Sequence, residues 1–109
     1  GRMLKHVVFG TLTTINETMF AANSDSFVRI NSFWIANTSS SNDNLYLHHV
    51  PSGQSASASN ALFYGTLVRS NASTVVDPAG IVMEPGDRIV VKATNAGRLV
   101  VHAYMDVLS

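Results

Sequence analysis

Strict alternation of apolar and polar residues at period two is the feature that most limits what this chain can become. A strand sends successive side chains to opposite faces, whereas a helix places apolar residues three and four apart. From Phe27 to Ala36 the residues Phe27, Arg29, Asn31, Phe33 and Ile35 point one way, and Val28, Ile30, Ser32, Trp34 and Ala36 the other. Neither set is purely polar, so this segment reads as a long strand in the middle of a sheet. Trp34 shares its side with Val28 and Ile30, which favours burial, but the opposing side is also apolar. From Arg88 to Thr94 the apolar side is Ile89, Val91 and Ala93. After a turn over residues 95–98, Leu99, Val101, Ala103 and Met105 alternate with Val100, His102, Tyr104 and Asp106. Residues 88–106 therefore read as a terminal hairpin.

Further strands are predicted over 4–13, 44–50, 63–69, 74–77 and 80–83, separated by clusters of Asn, Ser, Gly and Pro. Glu84-Pro85-Gly86-Asp87 has type II turn chemistry, because proline presets its own φ and the following glycine tolerates a positive one. Only Ser55–Phe63 has room for a helical turn, and it is too short and serine-rich for a packed helix. The expected fold is all-β: one small β-sandwich or jelly-roll domain of seven to eight antiparallel strands. Gly1 and Arg2 precede Met3 and read as a cloning remnant, which leaves residues 3–109 as the single domain.

Composition narrows the function. The chain has 109 residues, seven basic and seven acidic side chains and no cysteine. Charged residues make up 13%, against about 25% in an ordinary soluble domain. Ser, Thr and Asn fill 13, 8 and 9 positions, 30 in all. Nucleic-acid binding rests on clustered Lys and Arg, and here Arg29, Arg69, Arg88, Lys92 and Arg98 are scattered. Neither nucleic acid nor an anionic membrane is an expected partner. No apolar run approaches the roughly 18 to 20 residues that span a bilayer, and the N-terminus does not resemble a signal peptide.

No catalytic constellation stands out, so no enzymatic activity, catalytic residue, cofactor or metal is assigned. Gly53-Gln54-Ser55-Ala56-Ser57 does not match a nucleophile elbow, and most of the acids lie in turns. The adjacent His48 and His49 face opposite sides of a strand and cannot chelate one ion together; a metal site would need His6 or His102 plus a carboxylate brought by the fold. The acceptor patterns at Asn16, Asn37 and Asn71 are no more than so polar a chain produces by chance. Several strands apolar on both faces imply more buried surface than one sandwich offers, and hence self-association. The candidate interface residues are Trp34, Tyr46, His48, His49, Phe63 and Tyr64.

The segment from Phe20 to Tyr64 resembles small β-sandwich structural proteins of tailed bacteriophages and prophages. The resemblance is carried by Asn23-Ser24-Asp25-Ser26 before Phe27, by Ala36-Asn37-Thr38-Ser39, by Leu47-His48-His49-Val50-Pro51-Ser52-Gly53, and by Ala58-Ser59-Asn60-Ala61-Leu62-Phe63-Tyr64. Gly80–Asp87 is similar to that family's turn before the last hairpin. The resemblance implies a virion component assembled in the bacterial cytoplasm: a capsid decoration (cement) protein or a tail-associated module. Its implied partners are copies of itself, as a homotrimer, and the major capsid protein or another virion protein. Two regions depart from the family pattern, Met19–Asn23 and the first strand. The N-terminal segment accordingly reads as specific to this protein, an arm reaching a neighbour.

Overall fold

A computed structural model describes residues 1–109. Nine strands form: β1 (Arg2–Gly10), β2 (Glu17–Ala21), β3 (Phe27–Asn37), β4 (Asp43–Val50), β5 (Ala61–Val68), β6 (Ser73–Val76), β7 (Ile81–Met83), β8 (Arg88–Ala93) and β9 (Leu99–Leu108). The one helical element is a 3-10 turn at Ala58–Asn60, inside the one segment with room for it. No helix is long and apolar enough to cross a membrane.

The strands form two antiparallel sheets. The first has the order β1-β9-β3-β6, with β7 also on β3, and the second has the order β2-β8-β4-β5. The pairings are nested: β4 with β5, β3 with β6 and β7, β2 with β8, and β1 with β9. One long antiparallel ribbon is thus rolled until its halves face each other, which is the jelly-roll arrangement. Phe33, Ile35, Leu45, Leu47, Ile89, Leu99 and Val101 fill the space between the sheets, joined by Leu12 from the loop after β1. Full burial of each such side chain contributes about 1.5–3 kcal/mol.

The all-β sandwich is as the alternation predicted, with three differences in detail. The additional strand is β2, whose pairing with β8 shifts register between Thr18 and Phe20. That bulge erases the period-two signal. The terminal hairpin does not form: β8 pairs with β2 and β4, whereas β9 pairs with β1 and β3. Residues 95–98 instead carry the chain from one sheet to the other. Asn95 donates its amide to Asp43 Oδ1 at 3.1 Å and Gly97 donates to the Leu12 carbonyl at 3.1 Å. Alternation fixes which way side chains point but not which strand lies alongside.

The third difference is Trp34, which is 47% exposed. Ile30 pairs with Met105 and Ser32 with Tyr104, so Asn31 is an extra residue on β3. A bulge of one residue inverts the face of everything beyond it. Val28 and Ile30 are buried before it, Phe33 and Ile35 after it. The expected central position of β3 holds, with β9 on one side and β6 and β7 on the other.

The Glu84–Asp87 turn forms as its chemistry requires, with the Asp87 amide donating to the Glu84 carbonyl at 3.0 Å and Gly86 at φ 83°. A Cβ at Gly86 would also lie 2.7 Å from Ser52 Oγ. Glycine is needed there twice over.

Candidate interaction surface

The six candidate residues fall in three places. Trp34 lies on the outer face of the first sheet, opposite His102 on β9 and Val75 on β6. Tyr46 and Tyr64 are paired across β4 and β5 on the outside of the second sheet, with rings edge to face at 5.2 Å. His48 lies beside them, edge-on to Tyr64, but is only 3% exposed. Its Nδ1 is 2.9 Å from Asn60 Oδ1, which also accepts the Ser57 amide, so this ring fastens the loop between β4 and β5. Phe63 packs against the core. His49 bonds Asp87 through Nε2 at 2.9 Å.

Asp87 is the centre of a polar clamp. Its Oδ1 accepts the Ser52 amide at 3.0 Å, and its Oδ2 accepts the Glu84 amide at 3.0 Å together with His49. Burial pushes this carboxyl up, but the bonds from His49, Glu84 and Ser52 outweigh it and hold the group below its ordinary value. The clamp joins the end of β4 to the turn before β8. Asp43 has a similar task at the other end of the sandwich, where Oδ1 accepts the Asn95 amide and side chain.

The surface left without internal partners belongs mainly to the first sheet. Register places Leu4 and Val8 of β1, Tyr104 and Leu108 of β9, Phe27 and Trp34 of β3, Val75 of β6 and Val82 of β7 on its outer side. All eight are exposed, against three large apolar residues on the second sheet, Leu62, Tyr64 and Leu67. Charge enters this face at one point, where Asp106 accepts Arg29 at 2.7 Å and Arg2 at 3.3 Å. The Arg29 guanidinium holds that carboxyl below the usual carboxylate range.

The free edge of this sheet is β1, whose nine residues pair with β9 without a bulge and have no strand on the other side. The N-terminal segment is thus an edge strand of its own sheet rather than a free arm. An unbulged edge of this length is a template for another strand. The other edges are protected: β2 is bulged, β5 is irregular at two points, and β6 and β7 are four and three residues long.

Sequence reasoning pointed to Trp34 and missed the rest of this face. Leu4, Val8, Tyr104 and Val75 come from three strands far apart in the chain, and only register unites them.

No protein-family model matches the chain, and no curated protein matches it in sequence. Among solved structures, its fold is similar to that of a protein of Bacillus endospore appendages, described as a novel family of disulfide-linked pili. The TM-score is 0.61 at 12% identity, covering 99% of this chain and 88% of that one. It is also similar to a chain of infectious bursal disease virus, Gx strain, with a TM-score of 0.57 at 12% identity. That match covers 98% of this chain and 33% of the viral one, so the domain corresponds to about a third of the viral chain's length. Both likenesses are of fold.

Proposed function

We propose that this chain is a non-enzymatic structural subunit of a bacteriophage virion, a capsid decoration (cement) protein that self-associates and binds the major capsid protein. The observation that carries the reading is the unbulged, unpaired β1 edge, continuous with an apolar outer face. Strand addition along the edge satisfies its backbone groups, and the face buries Leu4, Val8 and Trp34. The sequence resemblance to phage structural proteins supports the virion. The occurrence of this fold in a pilus protein and in a virus chain supports a role in assembly. With no cysteine, subunits join without disulfides, and with few charges the contact tolerates high salt.

The expected state is a homotrimer. Sedimentation at micromolar concentration should give the mass of three chains at both low and high salt; a monomer would overturn the proposal, as would absence of the protein from purified particles by mass spectrometry.

One observation favours a second reading, a carbohydrate- or receptor-binding module of a phage tail: Tyr64 is 63% exposed beside Tyr46. An exposed ring with a polar edge suits stacking on a sugar. A glycan array without a binder removes this reading.

A further inference from the structure

On the outer face of the first sheet, His6 Nε2 and His102 Nδ1 are 2.9 Å apart. Their ring centroids are 5.1 Å apart and the planes differ by 6°. Facing nitrogens so much closer than the centroids mean that the rings meet edge to edge in nearly one plane. One nitrogen therefore donates and the other presents its lone pair. The residues are diagonal neighbours, since His6 pairs with Tyr104 and Val8 with His102. Tyr104 stacks on the His6 ring at 4.4 Å and 2°. Two imidazoles thus face each other across one hydrogen bond, from adjacent strands whose register is fixed by nine successive pairs.

We infer that His6 and His102 form a two-imidazole site for a divalent transition ion of the Cu²⁺ or Ni²⁺ class. At a metal–nitrogen distance of about 2.05 Å, donors at a right angle lie about 2.9 Å apart and tetrahedral donors about 3.3 Å. The nitrogens already lie close to both spacings, so an ion can be taken up by rotation of the rings without a change of register, and Cu²⁺ heads the affinity order for imidazole ligands. Each ring turns so that its lone pair leaves the line between the nitrogens and meets the ion. The proton of the hydrogen bond moves through solvent to the other nitrogen of its own ring, so a neutral pair binds without net proton release. No third His, Cys, Asp or Glu joins the cluster, and water completes the coordination.

Trp34, the one tryptophan, is the cross-strand partner of His102 and serves as the reporter. CuCl₂, and separately NiCl₂, is titrated into dilute protein at about pH 7.5. Trp34 fluorescence should fall and saturate at one ion per chain, then recover with EDTA. His6→Gln and His102→Gln should each raise the midpoint by at least about tenfold, the loss that removing even an outer hydrogen-bond partner of a ligand produces. In wild-type protein, amide resonances of residues 6, 102 and 34 should broaden first with substoichiometric Cu²⁺, a readout that needs no variant. No quench, a quench unchanged in both variants, or broadening centred on His48 and His49 would overturn the site.

Discussion

The sandwich turns two faces to solvent, built from similar residues in different states. On the second sheet the aromatic residues answer one another: Lys92 Nζ lies 4.9 Å over the Tyr46 ring, Tyr64 meets it edge-on, and His48 is buried beside them and tied to Asn60. Gly65, at φ 71°, lets Tyr46 come close, since a Cβ there would lie 3.2 Å from its hydroxyl. On the first sheet Leu4, Val8, Trp34 and Val75 remain open, and the adjoining edge has no bulge. An aromatic residue does not by itself mark an interface. What marks one is a side chain or a backbone edge left without a partner inside its own chain.

The sharpest test of this contrast lies within β3. Phe33 is fully buried between the sheets and Trp34 points outward. Phe33→Ala should cost about 3–5 kcal/mol, whereas Trp34→Ala should cost about 0.5 kcal/mol or less. Urea denaturation of the two variants measures both. Equal losses would mean that the outer face of the first sheet holds the fold together rather than awaiting a partner.

The same two residues show how far the sequence could be read. Alternation located β3, β4, β8 and β9, and turn chemistry located the Glu84–Asp87 reversal, because both are local properties. The facing of Trp34 was not legible, since one extra residue at Asn31 inverts it and nothing near Asn31 announces a bulge. Nor was the separation of β8 from β9. Whether a short turn closes a hairpin or crosses between sheets depends on Leu12 and Asp43, which receive its amides and are distant in sequence. The meeting of His6 with His102 has the same origin, in a register set by strands at opposite ends of the chain.

Two buried carboxylates sharpen the comparison electrostatically. Asp87 is held by His49 and two amides, Asp106 by the exposed guanidinium groups of Arg29 and Arg2. Asp87→Ala should cost about 2–3 kcal/mol at neutral pH, because three donors lose a charged acceptor. Asp106→Asn should cost less, since its partners return to water. Both carboxyls are lower in the folded chain than unfolded, so each stabilises the fold above the ordinary value of about 3.9 and stops doing so as pH falls through the lower folded value. The stability gap between wild type and Asp87→Ala should therefore be full at neutral pH and shrink in that acid window. A gap independent of pH would mean that Asp87 acts by packing alone.

Association separates the faces more directly. Leu4→Lys with Val8→Lys places two charges beside the unbulged edge, and Leu62→Lys with Leu67→Lys does the same beside β5. If each apolar contact on the first sheet contributes about 1 kcal/mol, the first pair should weaken self-association roughly 30-fold. The second pair should leave it unchanged. Sedimentation over a concentration series distinguishes them, and the reverse result would move the interface to the second sheet.

The smallest effect concerns why the second face is quiet. Lys92 lies over Tyr46 and faces it across β8 and β4. A contact of this kind at a partly exposed site contributes about 0.5–1 kcal/mol, so Lys92→Met should lower stability by no more than that. A double-mutant cycle with Tyr46→Leu isolates the pair from the loss of ordinary packing. The lysine also places a charge beside Tyr46, where a second apolar surface would otherwise form. Sedimentation of Lys92→Met should then show new, weaker self-association on this side, while the β1-dependent association stays as in wild type. If stability falls and no new association appears, the ring pairs alone keep this face from its neighbours, and Lys92 serves the fold rather than its solubility.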